Sequence, residues 1–263
     1  MNKIKLPKYL LKFIKSERLE YFLNRGLYMN AAGYFAVKGY EDDSNQSDIY
    51  EGLSTFPYKE LPKKEKTQAE RYQEAKTDFD RLCAGAPIIG YNVYKGRRRP
   101  VWCCTGIDES DVVDGQFKIS NKVLKDFFQE QTTNARAVLI DCEKFMRLLL
   151  ENPDEYSMAY GYVNYYDLRN SKGDCSNSNV WYDSIFLKKS ELKYQKEFRI
   201  AICRNCEENT KSVIIDHMNM EVLDHENPYN AYEYKLPNVK TTALKTFDIS
   251  KLKTDEEYLY FEV

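Results

Sequence analysis

Histidine is almost missing from this chain, with His217 and His225 the two among 263 residues. Zinc sites of the HExxH kind and clusters of several histidines are excluded by that count alone. Glycine is scarce too, at 11 residues, and neither GxGxxG nor GxxxxGK[ST] can be read anywhere. A glycine-rich loop around phosphates is therefore not expected. No apolar run approaches the roughly 18 residues of a membrane span. The opening MNKIKLPKYLLKFIKSERLE has no long apolar stretch or small-residue cleavage site, so it does not read as a signal peptide. These absences predict a protein that uses no membrane and works in the cytoplasm. Neither sign of charge prevails, since 39 basic and 41 acidic side chains leave a net charge of −2.

Seven cysteines without a secretion signal point to a reducing compartment, and the odd number argues against a fully paired disulfide framework. Cys203 and Cys206 form a lone CxxC, and Cys103 and Cys104 are adjacent. Neighbours in a strand face opposite ways, so the second pair is a poor complement to the first and no metal site is expected. What the chain has in surplus is tyrosine, at 22 residues. Aromatic rings stack on bases or nicotinamide, but as strand and core residues they need no ligand.

The elements read as follows. Tyr9–Ile14 is a short strand. Ser16 is a candidate N-cap for a helix with Leu19, Phe22 and Leu23 on one face, ended by Arg25-Gly26, and Leu27–Met29 is the next strand. From Pro62 to Cys83 apolar residues recur at helical spacing, giving a helical insertion at about 60–86. Ile88–Tyr94 and Val101–Thr105 read as a hairpin whose tip carries Arg97, Arg98 and Arg99. Helix over Asn121–Gln129, strand over Ala135–Cys142, helix over Glu143–Glu151 and one long strand over Tyr156–Tyr166 follow. Leu168–Asn179 is a polar connector. A helical turn over Ser190–Gln195 precedes the strand Phe198–Cys203, with Val213–Asp216 as its expected hairpin partner, and Tyr258–Val263 closes the chain. Hairpins and short helices without a βαβ rhythm predict an α+β domain over residues 1–263, with a largely antiparallel or split sheet and short flanking helices.

Three places carry candidate chemistry. In Tyr194-Gln195-Lys196-Glu197-Phe198-Arg199-Ile200, an extended chain puts Gln195, Glu197 and Arg199 on one face and Phe198 and Ile200 on the other. Glu197 reads either as a catalytic carboxylate or as a strand residue paired with Arg199 or Lys196. Arg97, Arg98 and Arg99, with aromatic neighbours, are a candidate phosphate or nucleic-acid contact, a local patch and not a basic surface on a chain of net charge −2. Asp48 and Glu51 lie in an acidic loop and would suit a divalent ion in a nuclease, or simply solvent.

Gln195-x-Glu197 at the start of a strand resembles the local signature of many ADP-ribosyltransferases. The strand-helix-strand of Leu10–Asn30 resembles the first half of their fold. The ordered set LLKFIKSERLEYFLNRGLYMNAAGYF, DIYEG, VWCCTG, ARAVLIDCEKF, YVNYYD and FLKKSELKYQKEFRIAI resembles a bacterial and phage family of unknown function. Its members stand near defence and toxin genes, and its fold is related to the ADP-ribosyltransferases. Phe127-Phe128 stands where relatives show Trp-x-x-Tyr/His-Tyr.

The resemblance implies an ADP-ribosyltransferase-like split sheet and NAD as substrate. It implies Glu197 as the catalytic residue bonding the nicotinamide-ribose hydroxyls, Gln195 as the residue orienting the acceptor, and Arg199 as a partner of Glu197. Lys12, where such enzymes usually carry His or Arg, would meet the cofactor, with Tyr28 and Tyr34 lining the nicotinamide pocket. The acceptor, protein or nucleic acid, is open. The rival expectation is a phage or defence-system protein without activity, sequestering a nucleotide signal or docking on a partner.

Overall fold

The structure is a computed structural model and describes residues 6–32, 34, 54–56, 89–91, 99–128, 134–151, 157–166, 185–203, 220–222 and 231–263. Strand β1 (Tyr9–Lys15), helix α1 (Leu19–Arg25) and strand β2 (Gly26–Ala31) open the chain in the expected order. Two short strands, β3 (Ser54–Phe56) and β4 (Ile89–Tyr91), follow. Next come β5 (Pro100–Ile107), β6 (Gln116–Ser120), α2 (Lys122–Phe128), β7 (Ala135–Asp141) and α3 (Cys142–Leu150). Then β8 (Ser157–Tyr162), β9 (Asn164–Tyr166), β10 (Leu187–Lys189) and β11 (Glu197–Cys203). The last are β12 (Met220–Val222), β13 (Ala231–Lys235), β14 (Ala243–Asp248), β15 (Lys253–Thr254) and β16 (Tyr258–Glu262).

Nine strands make one antiparallel sheet in the order β12-β13-β2-β5-β1-β7-β14, with β11 and then β8 added beside β5. Strands β15, β16 and β6 form a second, three-stranded sheet, and β9–β10 is the one parallel pair among the described residues. The class is α+β and mostly antiparallel, as expected. Among the described residues no helix is long and apolar enough to cross a membrane.

Successive strand residues point to opposite faces, and apolar side chains at neighbouring positions cover both faces of the sheet. Leu10 of β1 packs with Trp102, Phe198, Ile200 and the helices α1 and α3, whereas Leu11 and Phe13 pack with Phe117, Leu259 and Phe261 of the small sheet. In α3, Cys142, Phe145, Met146 and Leu149 are buried at helical spacing. Asp141 caps that helix by accepting from the Lys144 N–H at 3.0 Å. Gly26 ends α1 at φ +137°, and a Cβ there would run into the Tyr234 carbonyl of the neighbouring strand, so only glycine fits.

Several expectations are corrected. Ser16 does not cap α1, because a 3₁₀ turn over Ser16–Arg18 intervenes and the Ser16 hydroxyl donates to the Asn134 carbonyl instead. Tyr156–Tyr166 is not one strand. The chain leaves the large sheet at Val163, whose N–H donates to the Glu197 carbonyl, and Asn164 then donates to the Phe186 carbonyl beside the parallel pair. The 88–94 and 101–105 hairpin is replaced: β4 pairs with β3, while both edges of β5 are taken by other strands. The hairpin partner expected at 213–216 lies outside the described residues, and β11 is held by β5 and β8. The helical insertion at 60–86 and the connector at 168–179 also lie outside them.

Candidate functional site

The large sheet forks beside the middle of β5. Thr105 pairs with Glu197 of β11 on one edge and with Leu11 of β1 on the other. Val101 pairs with Ala201 of β11 and, on that other edge, with Asn30 of β2. Strands β1 and β2 therefore share one edge of β5, and between their pairings stand Trp102, Cys103 and Cys104. A cleft of about 640 Å³ opens there. The Lys12 ammonium reaches into the gap, donates to the Cys103 carbonyl at 2.6 Å and lies 4.9 Å from the centre of the Trp102 ring. It thereby satisfies a carbonyl that a continuous sheet would have paired.

Register decides which side chains meet. Cross-strand partners share a face, so Glu197 and Arg199 of β11 lie with Thr105 and Cys103 of β5, and with Asn30 and Tyr28 of β2. Phe198 and Ile200 turn to the opposite face and the core, as expected. Gln195 is not on the strand. It ends a 3₁₀ turn over Ser190–Gln195, and Lys196, with φ +43°, swings the chain into β11.

The floor of the cleft is a buried ionic network. Arg199 Nε lies 2.5 Å from one Glu197 carboxylate oxygen and Lys188 Nζ lies 2.7 Å from the other. Lys188 also donates to Gln195 Oε1 at 2.8 Å, and Gln195 Nε2 donates to Asp126 at 2.8 Å. The Tyr194 hydroxyl donates to the same Asp126 oxygen at 2.5 Å, and Arg199 Nη1 donates to the Ile185 carbonyl at 2.5 Å. The Glu197 N–H donates to the Tyr165 hydroxyl at 2.9 Å. Glu197 is 6% exposed, and two cations compensate its charge.

These contacts set the protonation states. Burial pushes the Glu197 carboxyl up, but the Arg199 and Lys188 charges and the hydrogen bonds it accepts outweigh burial and hold it well below the usual carboxylate range. Glu197 is thus a fixed anion with no proton to donate at neutral pH. Burial lowers Lys12 from its ordinary value, partly opposed by the cysteines and Glu197. Burial and the Glu197 charge raise Cys103, leaving a thiol rather than a thiolate. Burial, with the Glu197 charge beside it, raises the Tyr165 hydroxyl to about 12.

Glu197, Gln195, Lys12, Tyr28, Tyr34 and Arg199, named from the sequence, all line this one cleft. Gln195 engages both ends of its amide with Lys188 and Asp126, so it holds the floor together. The alternative pairing of Glu197 with Lys196 is not found, since Lys196 bonds Asp111. Of the arginine tip, Arg97 and Arg98 lie outside the described residues. Arg99 is half-buried, its carbonyl accepts from the Ala32 N–H, and it does not line the cleft. Asp48, Glu51, Cys206, His217 and His225 also lie outside the described residues.

Lys188 and Asp126 were not anticipated. Lys188 sits nine residues before Glu197, inside the run FLKKSELKYQKEFRIAI but on another strand, and nothing in that run singles it out; Asp126 is 69 residues from Gln195, and no local motif joins those two. No protein-family model matches the chain, and no curated protein or solved structure matches it.

Proposed function

We propose that the protein is ADP-ribosyltransferase-like, that its cleft takes NAD and that it transfers ADP-ribose to a macromolecule. The observation that carries this reading is the convergence of Glu197, Lys12, Tyr28, Tyr34 and Arg199 on a single cleft at the fork of the sheet. That fork is what an ADP-ribosyltransferase-like split sheet would need. In the proposed reaction the bond from ribose C1′ to the nicotinamide nitrogen breaks, and its electron pair leaves with nicotinamide. C1′ gains positive character, which a permanently ionised Glu197 stabilises, and an acceptor nucleophile then bonds to C1′ and sheds its proton. Tyr28 and Tyr34 would flank the nicotinamide, while Lys12, anchored on the Cys103 carbonyl, shapes the wall beneath. The acceptor, protein or nucleic acid, stays open; a role in conflict between phage and host rests on the resemblance alone, and the cytoplasmic setting on the absences in the sequence.

Labelled NAD incubated with the protein and cell lysate tests this. Nicotinamide release and label transfer are expected from the wild type, with both lost in Glu197→Gln. No release, no transfer and no NAD-dependent thermal shift would sink the reading.

One observation favours a second reading. Both Glu197 oxygens face a cation, so much of its field is neutralised before a ligand arrives. A cleft of that kind binds a nucleotide without turning it over, as a defence or phage protein sequestering a signal would. Its outcome is an NAD-dependent thermal shift with no nicotinamide released by the wild type.

A further inference from the structure

The cleft has two halves of unlike chemistry. In the inner half, Lys188 and Arg199 are both committed to Glu197. In the outer half the cations are not so engaged. Among the described residues Lys15 makes no ion pair, and Arg18 makes none either, with its guanidinium stacked over the Tyr28 ring at 4.9 Å. Among the described residues that line the cleft, Glu17 is the single acidic neighbour there.

Beside these cations stands an aromatic wall. Phe127 is 36% exposed, one of few large apolar side chains left open among the described residues, and it lines the cleft. Phe13 lies stacked against it at 5.8 Å and 22°. Phe128 and Phe261 brace Phe13 edge-on at 6.4 and 6.5 Å. The same helix turns Asp126 inward, where Tyr194 and Gln195 anchor it. Phe127 is therefore held in place before any ligand arrives, which reduces what binding must order.

Lys15 is two residues beyond Phe13 on β1 and on the same face, about 7 Å along the strand. Lys15 therefore stands next to the ring on which Phe127 rests, and both line the same cleft, so a cation and an open aromatic face are offered together, as a base and its phosphates require. We propose that the outer half of the cleft is a nucleotide subsite, in which Phe127 stacks on the base and Lys15 and Arg18 take the phosphates. The ligand class is a nucleoside diphosphate, free or as half of a dinucleotide. This deepens the NAD reading and rests on it.

Calorimetry with the full chain, using ADP, adenosine and inorganic pyrophosphate as probes, tests the subsite. ADP is expected to bind more tightly than either fragment. Phe127→Leu, which keeps an apolar contact on Phe13 but loses the ring, should weaken ADP by about tenfold or more, and Phe127→Trp should retain it. Lys15→Gln with Arg18→Gln should weaken ADP, flatten its salt dependence and leave adenosine unchanged.

Unchanged ADP affinity in Phe127→Leu, or pyrophosphate binding as tightly as ADP, overturns the subsite. So does the absence of ADP binding at roughly millimolar concentration. If NAD is turned over through Glu197 but Phe127→Leu has no effect, the subsite fails and the transferase reading stands. If ADP binds through Phe127 while NAD neither binds nor releases nicotinamide, the reverse holds.

Discussion

Glu197 carries one cation on each carboxylate oxygen, and all three groups are nearly sealed from water. Such a triad gains little net stability over an apolar core of the same shape, yet breaking it strands a buried charge. Lys188→Ala is therefore expected to destabilise the fold by about 3–5 kcal/mol. The pH profile identifies the cause. The folded Glu197 pKa lies below its ordinary value of 4.5, so its contribution is fully present above that value and is lost as pH falls below it. The difference between wild type and Lys188→Ala should accordingly narrow as pH drops from 7 towards 3, read as urea midpoints. A difference that stays constant across that range would assign the loss to packing rather than to charge.

At the level of elements, β5 is closely approached by a side chain of β8. Gly106 pairs with Leu10 of β1, and a Cβ on it would run into the Tyr162 ring, with Cζ at 2.7 Å and the hydroxyl at 2.6 Å. Gly106→Ala should cost about 1–3 kcal/mol by overpacking. Combining it with Tyr162→Leu should recover part of that loss in a urea-denaturation cycle, and strictly additive effects would refute the close approach. Strands that are short apolar runs, β1, β5, β7 and β11, were legible in the sequence, as were α3 and the terminal strand β16. Strand β13 was not, because AYEYK has no Val, Ile or Leu and carries Glu233 and Lys235 among its tyrosines, so it does not read as an apolar run although Ala231–Tyr234 is buried. Strand β14 escaped for another reason: in Ala243–Asp248 only Phe247 is buried, so little alternates. The cleft residues on β1, β2 and β11 were readable as local motifs. Lys188 shares a short run with Glu197 but meets it only because the chain turns back between β10 and β11, and Asp126 reaches the site through packing that no short segment encodes.

Across the whole molecule, the wall of the cleft depends on the far end of the chain. Phe261 of β16 is fully buried and stacks on Phe117 of β6 at 5.0 Å. It also meets Phe247 of β14 edge-on at 5.1 Å and Phe13 of β1 at 6.5 Å. One ring thus joins the three-stranded sheet to the nine-stranded one and supports the side chain on which Phe127 rests. Removing a buried aromatic leaves a cavity that neighbouring rings fill only in part, so Phe261→Ala should cost about 3–5 kcal/mol. Phe261→Leu, which keeps most of the volume, should cost clearly less and leave the chain folded for binding measurements. If Phe13 transmits this support, Phe261→Leu will also weaken ADP, although residue 261 does not line the cleft. Unaltered ADP affinity in that variant would mean that Phe128 and the rest of the buried cluster hold the Phe13–Phe127 stack, and that the terminal strand serves stability and not the site.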